Sequence, residues 1–283
     1  MFADYHVHTC YSDDSEYPME EVVKDAISLG LEEICFTDHV DYGVKRDWDD
    51  PRGMLYRRGG PGEPEHMALA NVDYPRYVAE IAALKEKYRD QITLKMGMEF
   101  GMQAHTIPQY EKLYSAWPVD FILLSVHQVE DREFWTQDFQ RGRTQAEYNL
   151  RYYEELLALV QQYRNYSVLG HMDLISRYDR AGSFPFERIR PIVTEILKTV
   201  IADGKGIEVN TSSHRYGLHD LTPSIDILRL YHGLGGRIIT IGSDSHRKEY
   251  LGAHIQSTME MIKDLGYIEI YTFDQMLPIP HKL

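Results

Sequence analysis

The stretch FADYHVHTCYSDDSEYPMEEVVKDAISLGLEEICFTDH, residues 2–39, decides the fold. It opens with a short β-rich run, FADYHV (2–7), and closes on a second, EEICFTDH (32–39). Between them MEEVVKDAISLG (19–30) sets Val22, Val23, Ala26 and Ile27 at helical spacing and stops at Gly30, a residue suited to a helix C-terminus. Strand, amphipathic helix, strand is a βαβ unit, and the unit recurs along the chain. Further strand-like runs are ITLKMGMEF (92–100), VDFILLSVH (119–127), SVLGHMD (167–173), GIEVNTS (206–212) and RIITIGSD (237–244). Helical patterns occupy 74–88, 144–163, 186–204, 222–235 and 248–266. About seven strand–helix repeats predict a parallel sheet covered by helices, and over this length a closed or nearly closed β/α barrel. Two polar segments interrupt the rhythm without ending it, so one domain over 1–283 is expected. Residues 43–72 are rich in Gly, Pro and charge and read as a long βα-loop insertion; 128–143 is polar and aromatic.

Composition narrows the class. With 43% apolar and 26% charged residues in 283, the chain is of ordinary globular type with material for a large core. Thirty basic against 44 acidic side chains give a net charge of −14, which repels polyanions, so neither nucleic acid nor an anionic membrane is an expected partner. No apolar run reaches transmembrane length, and MFADYHVHT carries no basic-then-apolar leader. Cys10 and Cys35 form no CxxC pair, and a reducing cytoplasm is the expected compartment.

The informative excess is thirteen histidines, and where they fall. His6 and His8, two apart on a strand, share a face. His39 ends the second strand run, Glu99 the third and His127 the fourth; His171 with Asp173 ends the fifth, Asn210 the sixth, and Asp244 with His246 the seventh. In a β/α barrel these ends surround one mouth, where active sites lie. Imidazole and carboxylate without thiolate suit zinc, iron or manganese. Eight candidates, His6, His8, His39, Glu99, His127, His171, Asp244 and His246, become nine with Asp13 or Asp14. That number suits three divalent ions with one bridging carboxylate, and Glu99 has two oxygens to offer. Closely spaced ions activate water and hold the oxygens of an in-line displacement at phosphorus, so phosphoester hydrolysis is expected. His66, His105, His214, His219, His232, His254 and His281 fall in loops or helices and are expected to be solvated or capping.

Taken together, HVHTCYSDDSE, the TDH at 37–39, Glu99, His127, GHMD (170–173) and SDSH (243–246) resemble the PHP (polymerase and histidinol phosphatase) superfamily, from residue 4 to about 250. Within it, EEICFTDH, SVH, GHMDLISRY and EVNTSSHRYG resemble the histidinol-phosphate phosphatases of bacterial histidine biosynthesis more than the exonuclease modules of DNA polymerases. The resemblance implies a distorted (βα)7 TIM-like barrel holding three metal ions. It assigns His6, His8, Glu99 and Asp244 to the first ion. Glu99 bridges to a second with His127 and His171, and Asp14, His39 and His246 hold the third. Many relatives carry histidine where this chain has Asp14; Asp13 competes for the place, and Asp14 is preferred because Asp-Ser-Glu (14–16) matches a subset of the group.

The implied reaction is hydrolysis of L-histidinol phosphate to L-histidinol and phosphate, with a hydroxide between two ions as nucleophile. Arg177 and Arg215, just past strand ends, match family arginines and are expected to clamp the phosphate. The catalytic set is then Glu99, Asp244, Arg177 and Arg215, with a bound water or Asp244 serving the leaving oxygen. For the ammonium and imidazole of the substrate, Asp41, Tyr42, Glu130, Asp131 and Trp135 are candidates, and Asn210 joins the substrate contacts. Arg46, Arg52, Arg57 and Arg58 of the insertion are weighed as a cover for the phosphate, against a solvated loop on the barrel rim. Two rival readings are a phosphoesterase acting on nucleotides or other small phosphate esters, and a metal-loaded regulatory module.

Overall fold

Seven parallel strands stand side by side in the order the chain makes them: β1 (Ala3–Val7), β2 (Glu33–Phe36), β3 (Thr93–Gly101), β4 (Phe121–Ser125), β5 (Val168–Leu169), β6 (Gly206–Asn210) and β7 (Ile239–Gly242). The computed structural model describes residues 1–58, 66–218 and 220–283. After Phe36 the second strand breaks at Thr37 and Asp38, then resumes as His39–Val40 beside Glu99 and Phe100 of β3. The last strand returns to the first. Val7 bridges Ser245 in parallel, and the His8 N–H donates to the Ser245 carbonyl at 2.9 Å, so among the described residues the barrel closes by one bridge.

Helices cover the outside: α1 (Met19–Leu29), α2 (Tyr74–Tyr88), α3 (Ile107–Ala116), α4 (Gln145–Gln162), α5 (Phe186–Ala202), α6 (Ile225–Gly233) and α7 (Ile255–Asp264). Local chemistry sets their ends. Gly30 ends α1 at φ 76°, the left-handed region that glycine enters without a Cβ penalty. Thr144 and Glu147 exchange side-chain and backbone hydrogen bonds in a capping box that starts α4. The main apolar layer lies between strands and helices, where Ile34, Phe36, Met98 and Leu124 meet Val22, Ile81 and Leu156.

Inside the barrel, β1 departs from a regular strand. Ala3 and Asp4 stand opposite Glu33 and Ile34, but Val7 stands opposite Phe36, so β1 carries one extra residue between Asp4 and Val7. Such a bulge re-aims side chains. It lets Tyr5 join an interior cluster with Ala3, Cys35, Phe121, Leu123 and Val168, while the next residue, His6, also reaches across the barrel.

Several segments differ from the sequence expectations. Helix α3 was not anticipated, because only Tyr110 and Leu113 of its ten residues are buried, too few to make a stripe. The last helix begins at Ile255 rather than 248, after a short turn at Lys248–Tyr250. The 43–72 insertion is not structureless: Leu55–Arg58 pairs antiparallel with His66–Leu69. Its residues 59–65, and His219, lie outside the described residues. Gln128–Val129 and Arg132–Glu133 form another small ladder. A C-terminal hairpin, Glu269–Asp274 with Leu277–Lys282, was also unforeseen. It seats Phe273 on Tyr5 and Phe121 and anchors at the start of β4, where the Met276 N–H donates to the Asp120 carbonyl at 2.9 Å. The hairpin therefore covers the N-terminal end of the barrel.

Candidate metal centre

The opposite end is a cavity of about 540 Å³. At its floor Glu99, fully buried near the end of β3, turns its two oxygens to different neighbours. Oε2 lies 3.2 Å from His6 Nε2, 3.5 Å from His8 Nε2 and 2.9 Å from His39 Nδ1. Oε1 lies 3.0 Å from His127 Nε2 and 2.8 Å from His171 Nε2, and accepts from the Ser125 hydroxyl at 2.7 Å. Asp244 Oδ1 is 3.7 Å from both His6 Nε2 and His8 Nε2. At the rim, Asp14 Oδ2 is 3.2 Å from His246 Nε2 and 3.5 Å from His39 Nε2, and those two nitrogens are 3.4 Å apart. Asp13 turns away from the imidazoles, with Oδ1 2.7 Å from Lys45 Nζ. The structure thus brings all nine residues of the expected ligand set to one place.

Their spacing suits cations. Donors held about 2.0–2.2 Å from a tetrahedral ion lie about 3.3–3.6 Å apart, close to the separations around Glu99 and Asp244. Four overlapping groups of donor atoms fall within 4.8 Å of one another: His6–His8–Glu99, His6–His171–Asp244, His39–Glu99–His127 and His8–His39–His246. His8 Nε2 is buried with no hydrogen-bond partner among the described residues, which is costly for a polar atom unless something else binds it. Cys35, buried in the lower core, and Cys10 take no part in these groups. The residues fit a divalent metal.

Electrostatics agree with a site built for positive charge. Burial alone would raise the Glu99 and Asp244 carboxyls. Glu99 is instead held well below the carboxylate range by His6, His127 and His39, and Asp244 by His6, Arg215 and Arg177. His127, despite burial, is pushed up to about 9 by Glu99 and Asp41. His8 goes the other way, held well below the ordinary imidazole value by burial and then by His246, His39 and His6. Without a cation these rings must share protons unevenly.

The strands deliver these groups at a local cost. Asp244 sits at φ 56°, in the left-handed region that non-glycine residues rarely occupy, and such strain gathers at functional sites. Close approach requires glycine at two positions. A Cβ on Gly101 would collide with Asp41 and His127, and one on Gly242 with His6 and Glu208.

Arg177 and Arg215 enter from beyond β5 and β6. Arg177 Nη2 is 3.3 Å, and Arg215 Nη2 3.6 Å, from Asp244 Oδ2. Both guanidinium groups lie over the Tyr216 ring, at 4.2 and 5.1 Å, which holds two like charges side by side. Other expected residues do not arrive. Asn210 is buried beneath the cavity, its oxygen accepting from Ser212 and its amide 3.3 Å from both Glu208 Oε2 and His6 Nδ1, so it touches a candidate ligand rather than the open space. Tyr42 bonds Asp47 and Tyr74. Glu130 pairs with Arg143 and Arg151 on the surface, and Asp131 with Gln103 and His105. Trp135 and Asp41 do line the cavity, but Asp41 is engaged by His127 at 2.7 Å and by Lys45 at 2.9 Å. Arg46 bonds carbonyls of its own loop and Arg52 bonds Asp50, so neither covers the cavity. Outside the site, His214 stacks on His254, His105 faces Asp131 and His281 meets Thr272.

Sequence reasoning missed Glu208, which lies 2.5 Å from His6 Nδ1 and accepts from the His171 N–H at 2.8 Å. The signal was present. Glu208 is an acid within an apolar strand and shares a face with Asn210 two residues on. It also missed Lys45 and the cavity tyrosines Tyr178, Tyr216 and Tyr250.

Comparison with known proteins agrees with this geometry. The PHP domain family matches residues 4–212. The histidinol-phosphatase of Lactococcus lactis is 32% identical over 278 residues, covering 96% of this chain and 94% of that protein. The histidinol-phosphatase of Bacillus subtilis is 26% identical over 233 residues, covering 75% and 81%. The crystal structure of the Lactococcus lactis histidinol phosphate phosphatase, complexed with zinc, L-histidinol and phosphate, superposes with a TM-score of 0.80 at 30% identity over 98% of both chains. HisK from Listeria monocytogenes shares the fold, with a TM-score of 0.71 at 19% identity over 90% of this chain and 99% of that one. Among the described residues, no helix is long and apolar enough to cross a membrane.

Proposed function

Because this chain belongs to the PHP domain family, we propose that it is a metal-dependent phosphomonoesterase that hydrolyses L-histidinol phosphate to L-histidinol and phosphate. One observation carries the substrate: a relative 30% identical over 98% of the chain was crystallised with zinc, L-histidinol and phosphate. The donor atoms described above supply the setting for three divalent ions. His6, His8, Glu99 and Asp244 would hold the first, Glu99 with His127 and His171 the second, and Asp14, His39 and His246 the third. When bound, such ions supply acidification of water and charge neutralisation at phosphorus.

The chain's own residues do the rest. Arg177 and Arg215 stand over Asp244 at the cavity wall, where their N–H groups can turn to the phosphoryl oxygens as a paired clamp. Tyr216 lies against both guanidinium groups, and Tyr250 against that of Arg215. Asp244 is held ionised by His6, Arg215 and Arg177, which suits it to a cation and removes it as a proton donor. Trp135, Leu174 and Tyr178 offer the flat apolar wall that an imidazole requires, and Glu133 adds a carboxylate on the same cavity. A net charge of −14 disfavours long polyanions as substrates.

Steady-state turnover of L-histidinol phosphate, measured beside mononucleotides and sugar phosphates, tests the reading. The expected result is a kcat/KM for L-histidinol phosphate at least about a hundredfold above the rest, the discrimination that buried polar contacts can provide. A nucleotide turned over faster would replace the substrate. No turnover with zinc, iron or manganese restored would leave a regulatory module.

A further inference from the structure

Lys45 lies at the start of the 43–72 segment and lines the cavity, yet it is only 8% exposed. A buried ammonium persists only when paired, and its Nζ has two partners, Asp13 Oδ1 at 2.7 Å and Asp41 Oδ2 at 2.9 Å. Each partner stands next to a residue assigned above as a ligand. The other oxygen of Asp41 is 2.7 Å from His127 Nδ1, while His127 Nε2 is 3.0 Å from Glu99 Oε1. Asp13 directly precedes Asp14, whose Oδ2 faces His246 and His39. Both carboxylates line the cavity, but only that of Asp14 faces the imidazoles.

Resting on the ligand assignment of the proposed function, we infer that Lys45 is a positioning residue that sorts the carboxylates of the site. It holds Asp13 back, so that Asp14 alone serves the rim ion. It also fixes Asp41 on His127 Nδ1, which takes the N–H at that nitrogen and leaves the Nε2 lone pair for a cation. A carboxylate behind a ligating histidine sets its tautomer and orientation, and losing such a partner weakens metal binding about 10- to 100-fold. Lys45 does this through Asp13 and Asp41 rather than through the substrate.

Zinc binding by the full-length protein tests the inference without relying on activity. Zinc per chain and apparent zinc affinity are measured by elemental analysis at buffered free zinc, with circular dichroism reporting the fold. Lys45→Met is expected to lose about 10- to 100-fold in affinity for at least one zinc, and Lys45→Arg to recover most of it. Asp41→Asn should lose zinc affinity similarly, whereas Asp13→Asn should keep wild-type zinc content. A folded Lys45→Met protein that binds zinc as the wild type does would overturn the inference. So would Asp13→Asn and Asp41→Asn behaving alike, a comparison that decides the matter even if Lys45→Met does not fold. Asp14→Asn and His127→Ala separate the two claims. If they lose zinc and Lys45→Met does not, only the role of Lys45 falls; if they keep it, the ligand assignment falls and takes this inference with it.

Discussion

Tyr5 and His6 are neighbours on β1, and a bulge lets both reach the barrel interior, yet they belong to opposite environments. Tyr5 packs its ring edge-on to Phe121 with centroids 5.0 Å apart, and receives the Phe273 N–H at 2.7 Å from the hairpin that closes the barrel base. His6 lies one residue on, between Glu208 at 2.5 Å and Glu99 at 3.2 Å. The lower end fills its space with rings and bonds the Tyr5 hydroxyl to Glu33 and Phe273. The upper end gathers imidazoles and carboxylates, with His8 Nε2 buried and lacking a hydrogen-bond partner among the described residues. The two ends should therefore respond oppositely to the same kind of damage: stability from the base, binding and turnover from the mouth.

The largest effect is expected from Glu99→Gln. It should lower kcat/KM by roughly a thousandfold or more and reduce zinc content, with the fold retained by circular dichroism. Near-normal turnover would remove Glu99 from the centre of the account. At the other end, Phe273→Ala should cost about 3–5 kcal/mol in denaturant unfolding, as for a large buried ring, while kcat and KM of the folded fraction stay unchanged. A catalytic defect there would blur the separation of the two ends.

The pH dependence of the metal-free protein comes next. His127 is raised to about 9 when folded, so its stabilising contribution is fully present below the unfolded imidazole value near 6.5 and is lost as pH rises through about 9. Metal-stripped protein should therefore lose up to about 3 kcal/mol between pH 6.5 and 9.5, read from denaturant midpoints. Zinc affinity should rise over the same window, because a cation and a proton compete for the same nitrogen. Phe273→Ala should shift that stability curve downward without changing its slope. A flat curve for the metal-stripped wild type would contradict the charge balance argued for the mouth. The smallest effect is expected from Arg177→Ala, a rise in KM of about 10- to 100-fold with kcat little changed, since it removes ground-state contacts along with those of the transition state. An unchanged KM would return Arg177 to a structural role with Ser212.

The barrel was legible because alternation of β-rich and amphipathic runs is a local signal, and each β-rich run turns polar at the same end. What escaped depended on partners distant in sequence. The hairpin Glu269–Asp274 with Leu277–Lys282 has an outer strand that is largely exposed and holds two prolines, so it shows no core pattern of its own. Helix α3 buries little and carries Pro108 in its first turn. Asn210, Tyr42 and Glu130 were placed at the mouth by nearness to strand ends. Nearness along the chain does not fix where a loop side chain turns, and each finds a nearer partner in Ser212, Asp47 or Arg143. Glu208 was the opposite case: its isolation as an acid in an apolar strand was readable, but its partner His6 lies 202 residues away.

Zinc-edge anomalous diffraction from crystals grown with zinc tests the central claim most directly. The account predicts peaks on both sides of the Glu99 carboxylate, one reached by His6, His8 and Asp244 and the other by His127 and His171, each within about 2.3 Å of its donors. Peaks confined to surface histidines such as His214 and His254, with none touching Glu99, would contradict it.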